Sequence, residues 1–414
     1  MARKLSGGAR TRRDQLRMER LENKALLAGE VLVNVVGGHL LITGDAEANQ
    51  IAVSSGEDPG SFVIRGLDGT TVSMADAPDG TPPGSELTVE GVRGNVRIAT
   101  GDGDDVVRIN RARFARSLAI GTGEGNDTVL IGVPAPSAPA AAEADGEASA
   151  EEDPAVDANV AVRGSVRIAT FAGEDVVRVA DTAIGGHLAV LTGADSDRVV
   201  LGADPETPPA EGGAATDELV AESEETDGDA PDPHLLRARG GILVSLGAGD
   251  DAASLRDVGS RRGVAVGGDG GSDRIALSDV DAGFSLLVNG GRGDATDNVV
   301  LDDVRARFAA VRTGDGADRV RIADSAFAAL AVSTGGGDDI VGVAGTKARV
   351  AVFLGGPGED TLNEGEGNEF GTKIVRNFEI PAPPTDGGAS GDAGAGPTTA
   401  VLPRLVRRAR VAAK

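Results

Sequence analysis

An acidic, glycine-rich turn recurs along this chain at intervals of 21 to 24 residues, and that recurrence limits the fold more than any other feature. The copies read TGDGDDVVRI at 100–109, TGEGNDTVLI at 122–131, TFAGEDVVRV at 170–179, TGADSDRVVL at 192–201 and LGAGDDAASL at 246–255. GGDGGSDRIAL at 267–277, GGRGDATDNVVL at 290–301, TGDGADRVRI at 313–322, TGGGDDIVGV at 334–343 and GGPGEDTL at 355–362 continue the series. A degenerate first copy, TGDAEANQIAV, lies at 43–53. The terminal acid of each turn sets the period. Asp105 to Asp127, Asp175 to Asp197 and Asp251 to Asp273 are each 22 residues, and the steps through Asp297, Asp318, Asp339 and Asp360 are 24, 21, 21 and 21. Two intervals, Asp127 to Asp175 and Asp197 to Asp251, are longer at 48 and 54 residues.

Apolar residues alternate on either side of each turn, the pattern of half-buried strands. One pair precedes it (Val96/Ile98, Leu118/Ile120, Val166/Ile168, Leu188/Val190, Val264/Val266, Leu330/Val332). A second follows (Val107/Ile109, Val129/Ile131, Val177/Val179, Val199/Leu201, Val320/Ile322). A third site holds Phe114, Ile184, Phe284, Phe308 and Phe327. Three short strands in about 22 residues predict an all-β fold, a right-handed parallel β-helix or β-solenoid of about 10–11 coils. Composition agrees: 62 glycines, nine Phe and no Tyr or Trp leave aliphatic side chains to fill a thin core.

The longer intervals contain residues 134–159, with seven acids, and 203–234, with eleven, neither holding a Lys or Arg. Both read as disordered acidic insertions that leave the coil without breaking its register. Residues 56–88, with FVIRGLDGTTV, read as a hairpin-like insertion decorating or capping the first coil. The β-helix is expected over 30–380, followed by a flexible linker and basic tail over 381–414, and preceded by a basic leader over 1–29.

Cysteine is absent, which removes disulfides and zinc–thiolate sites from consideration. The net charge of −25 opposes binding to nucleic acid, and no apolar run is long enough for a transmembrane helix. The three histidines are His39, His187 and His234. No Ser/His/Asp spacing, nucleophile elbow or phosphate loop accompanies them, and no acidic pair stands out as general acid and base. The chain reads as non-enzymatic, with a polysaccharide-active β-helix lyase or hydrolase as the alternative.

Two readings of the turns stay open. Glycine supplies positive φ and Asp or Asn bonds nearby backbone amides, so an acidic column can simply make corners. Equally, stacked carboxylates and free carbonyls suit calcium, which takes six to eight oxygens. The ligands would be drawn from Asp102, Asp104, Asp105, Asn126, Asp127, Asp175, Asp197, Asp250, Asp251, Asp273, Asp315, Asp318, Asp338, Asp339 and Asp360. A Thr column (Thr100, Thr122, Thr170, Thr192, Thr313, Thr334) precedes each acid by five residues and is expected to bond hydroxyl to hydroxyl along the stack rather than to present a ligand-binding ladder.

Gly355-Gly356-Pro357-Gly358-Glu359-Asp360-Thr361-Leu362 resembles the G-G-x-G-x-D-x-L-x nonapeptide of haemolysin-type (RTX) calcium-binding repeats, and Gly335-Gly336-Gly337-Asp338-Asp339-Ile340-Val341 is similar with a shift of one. Those repeats run contiguously, whereas here one turn occurs per coil and Phe171 and Asp195 replace glycines. The resemblance implies calcium as a cofactor. The segment Glu19-Arg20-Leu21-Glu22-Asn23-Lys24-Ala25-Leu26-Leu27-Ala28-Gly29 resembles the L-E-P-R-x-L-L segment of planctomycete surface and secreted proteins, with Asn23 for Pro and Lys24 for Arg. That resemblance implies a sorting leader, an extracellular or cell-surface location and an envelope, matrix or adhesion role.

Overall fold

The computed structural model describes residues 29–78, 81–133, 159–203 and 236–379. The expected leader, the linker and tail, and nearly all of the two acidic insertions lie outside these residues. Among the described residues every element is a strand, and the strands stack as a parallel β-solenoid of about ten coils.

Each coil contributes to three faces. On the first, Val96–Ala99 pairs in parallel with Leu118–Gly121, which pairs with Val166–Ala172, then Leu188–Ala194, Gly241–Ala248 and Gly263–Gly270. On the second, Val106–Ile109, Thr128–Ile131, Val176–Val179 and Arg198–Gly202 follow one another. On the third, the order is Ala112–Phe114, Val160–Val162, Thr182–Ile184 and Leu236–Ala238. Both long intervals are crossed in register, because Thr128 lies opposite Val176 and Arg198 opposite Ala252.

Alternation decides which side chains meet inside. The paired positions before and after each turn, from Val96/Ile98 to Val320/Ile322, are all buried, and they merge into one continuous aliphatic core. The third site is more divided. Phe114, Ile184 and Phe327 are buried, but Phe284 is 53% exposed and Phe308 42%. The inward–outward parity resets where the third face turns into the first: Arg307 and Phe308 both face solvent, with Ala306 and Ala309 buried on either side.

The first coil is covered by antiparallel pairing. Glu30–Val36 folds back on His39–Thr43 through Gly37 and Gly38, both at positive φ. Phe62–Gly66 pairs with Gln50–Ser55 and Glu86–Val89, whereas Thr71–Met74 joins Glu30–Val36 in parallel. The FVIRGLDGTTV stretch thus caps the coil, but its two halves pair with separate strands and not with each other. Each half covers a different strand of an otherwise open coil end, which blunts its capacity to recruit other strands.

Candidate functional site

The acidic turns form one corner of the solenoid, between the first and second faces. Asp105 shares strand parity with Val107 and Ile109, and parity carries its carboxyl inward with them. The same holds along the stack: Asp105, Asp127, Asp175, Asp197, Asp251, Asp273, Asp297, Asp318, Asp339 and Asp360 are all buried. Asp297 belongs to this column although its insertion-bearing turn obscures it among the candidate ligands.

These carboxyls hold the coils together in a fixed direction. The backbone N–H of Asp105 donates to Oδ1 of Asp127 at 2.9 Å, and that of Asp127 to Oδ1 of Asp175 at 2.8 Å. The series continues through Asp197, Asp251, Asp273, Asp297, Asp318 and Asp339 to Asp360. At one end Asn49 N–H donates to Asp105 Oδ1 at 2.7 Å, and at the other Asp360 N–H donates to Glu379 Oε2 at 2.6 Å. The turn backbone cannot satisfy these amides within its own coil, and a buried amide left unpaired is costly. The carboxyl of the next coil supplies the acceptor.

The second oxygen is different. Oδ2 of Asp105, Asp127, Asp175, Asp197, Asp251, Asp273, Asp318, Asp339 and Asp360 is buried with no hydrogen-bond donor placed on it. Burial accordingly pushes the Asp127, Asp197 and Asp273 carboxyls up to about 7, and those of Asp105, Asp297 and Asp339 up to about 6. Asp175 and Asp251 are raised by the same cause. Like charge in the next coil adds to the rise at Asp127, which lies beside Asp105 and Asp175.

A protonated Oδ2 has a natural acceptor. The Thr of the same coil lies beside the acid, as Thr100 does for Asp105, Thr192 for Asp197 and Thr334 for Asp339. Those Thr hydroxyls already donate elsewhere: Thr100 to Thr122 O at 3.4 Å, Thr192 to Leu246 O at 2.6 Å and Thr334 to Gly355 O at 3.1 Å. Their lone pairs remain to accept the acid's proton. Except at Thr122, whose buried hydroxyl has no hydrogen-bond partner, the Thr column therefore bonds to the backbone carbonyls of the next coil, not hydroxyl to hydroxyl. It is also buried, so it offers no surface ladder. Where glycine replaces Thr, at Gly268, Gly290 and Gly355, the carboxyl occupies the vacated space, and a Cβ there would collide with Oδ2 of Asp273, Asp297 or Asp360.

The remaining candidate ligands, Asp102, Asp104, Asn126, Asp250, Asp315 and Asp338, are exposed on the outside of the corner. Part of this row forms a second ladder of opposite direction. Asn126 N–H donates to Asp104 Oδ1, Glu174 N–H to Asn126 Oδ1, Ser272 N–H to Asp250 Oδ1 and Glu359 N–H to Asp338 Oδ1, at 2.8 to 2.9 Å. The turn thus sends its terminal acid into the core and the preceding residue out to solvent. Among the described residues no group of three or more acidic, His or Cys side chains is disposed to hold a metal ion. Glycine is required where coils approach most closely: Gly123 has φ 106° and a Cβ there would strike the Gly101 carbonyl. Phe171 and Asp195 hold the same turn conformation at φ 80° and 77° without being glycine.

The histidines are structural in the same sense. His39 Nδ1 accepts Asn95 N–H at 3.0 Å, and His187 Nδ1 accepts Gly241 N–H at 2.9 Å, each bond joining successive coils. His234 lies outside the described residues. No helix among the described residues is long and apolar enough to cross a membrane. No protein-family model matches the chain, and neither a curated protein nor a solved structure does.

Proposed function

We propose that this protein is a non-catalytic β-solenoid of the cell surface or extracellular matrix, serving as a structural or adhesive rod. The observation that supports this reading is the buried Asp ladder running from Asn49 to Glu379. The carboxyls that would be the first candidates for acid–base chemistry are spent on joining coils, and His39 and His187 do the same at another corner. Incubating the purified chain with acidic polysaccharides, with and without calcium, tests the non-catalytic part. Unchanged polymer length is the expected result, and release of oligosaccharides would establish the lyase or hydrolase alternative. Protease shaving of intact cells tests the location: loss of the protein supports surface display, and full protection opposes it.

Calcium binding is a second reading, favoured by the outer acid row. Asp102, Asp104, Asp250, Asp315 and Asp338 have no basic partner among the described residues. A cation between successive turns would relieve their mutual repulsion. Thermal melts in calcium and in EDTA decide it. Ligand bound to the native state raises the midpoint, so equal midpoints would leave a purely structural, ion-free solenoid.

A further inference from the structure

The corner where the third face turns into the first is basic, although the chain as a whole is strongly acidic. On successive coils it carries Arg163, Gly185, Arg239, Arg261, Gly283 and Arg307, stacked through bonds such as Arg239 N–H to Ile184 O and Arg307 N–H to Gly283 O. Arg163, Arg239 and Arg261, with Arg237 and Arg305 from the adjoining third face, line a groove of about 1370 Å³. Arg305 is engaged by Asp303 at 2.8 Å, whereas Arg163, Arg237, Arg239 and Arg261 have no ion pair among the described residues. The opposite wall of the groove carries Asp257 and Asp279, whereas Asp281 lies in the column of Arg237 and Arg305, in register with Arg305, and accepts the Gly283 N–H at 2.9 Å.

Directly beyond the groove stands an aromatic cluster. Phe284 and Phe308 pack edge to face with centroids 5.3 Å apart, and the Arg307 guanidinium lies 5.7 and 5.4 Å from their centroids. Both rings are exposed, Phe284 by about half and Phe308 somewhat less, in a chain that has nine aromatic residues in total. Nothing in the core requires them to be there.

We propose that this groove and its aromatic end bind an anionic polysaccharide running along the solenoid axis. Each part of the surface matches a different group on such a polymer. Arginine pairs with carboxylate or sulfate substituents in forked geometry. The aspartates of the opposite wall accept hydrogen bonds from ring hydroxyls. The phenyl faces stack on the apolar faces of sugar rings, as amphipathic surfaces do. Arg239 and Arg261 stand on adjacent coils and Arg163 two coils before Arg239, so positive groups are spaced along the axis at multiples of the ~4.8 Å strand spacing, which suits a linear polymer better than a compact one. An acidic polypeptide would use the arginines alone and would meet the like charge of Asp257 and Asp279 across the groove. This deepens the adhesive reading and rests on it for its biological setting, but binding itself is measured on purified protein and stands apart from cellular location and from catalysis.

The test is titration calorimetry of the full chain in EDTA against polygalacturonate, dextran sulfate, neutral dextran and poly-L-glutamate. Saturable binding to the carboxylated or the sulfated polymer is expected, and the two arms tell which substituent is preferred. Neutral dextran and polyglutamate should not bind. The paired change Phe284→Ala with Phe308→Ala should weaken binding about tenfold, as should Arg239→Ala with Arg261→Ala. All four side chains are on the surface, so the melting midpoint should hold; Arg239→Lys with Arg261→Lys, which keeps charge and loses the fork, should give an intermediate loss. No saturable binding to either anionic polysaccharide would overturn the proposal. So would equal binding of polyglutamate together with no effect of the Phe changes, which would leave a charge-only surface.

Discussion

At the scale of the residue, Asp127 illustrates how an acid becomes a core side chain. Its Oδ1 takes the Asp105 amide, its Oδ2 lies beside Thr122, and its own amide is taken by Asp175. Asp127→Ala strands the buried Asp105 N–H and is expected to destabilise the protein by ~1–3 kcal/mol in urea melts. Asp127→Asn keeps the Oδ1 acceptor and puts a donor where the protonated oxygen stands. Its midpoint should match the native protein at pH 5 and exceed it at pH 8, where the native carboxyl is charged. The inward direction of these acids was legible in principle, since Asp105, Val107 and Ile109 alternate, as do Val96, Ile98 and Thr100. Residue type masked it: a carboxylate next to glycines suggests a surface turn or a cation site before it suggests a core. Phe284 and Phe308 failed the opposite way. Their type suggested core, but parity resets at the corner, and sequence alone does not mark where a coil bends.

At the scale of the element, the coil is the unit, and its three strands were readable because aliphatic pairs recur on both sides of every turn. The pairing of the cap was not, because Phe62–Gly66 and Thr71–Met74 find partners distant in sequence. In the coil of Asp105 the second and third faces are joined by Asn110 and Arg111 alone, whereas in the next the chain leaves at Val133 and re-enters at Asn159. Since register survives this interval, replacing 134–158 by a short Gly/Ser linker is expected to leave the fold intact. Loop-closure entropy changes only slowly with length, by about 0.6 kcal/mol per doubling, so the melting midpoint should stay the same or rise slightly. A large loss of midpoint would show that the segment contributes to packing.

At the scale of the whole molecule, the buried column makes stability depend on pH in an unusual sense. Asp105, Asp127, Asp197, Asp273, Asp297 and Asp339 move from the ordinary 3.8 up to about 6 or 7. Between these limits the folded chain binds more protons than the unfolded one, so stability falls as pH rises. The contribution is fully present below 3.8 and is lost as pH passes 6 to 7. Melts in EDTA should therefore show a higher midpoint at pH 5 than at pH 8, with the difference reduced as column acids are changed to Asn.

The most direct measurement is carboxyl carbon NMR of the chain labelled at Asp, titrated from pH 3 to pH 9 in EDTA. A set of aspartate resonances should titrate near pH 6 to 7, and Asp127→Asn should remove one member of that set. If every aspartate titrates near the ordinary 3.8, the buried, proton-holding ladder is wrong.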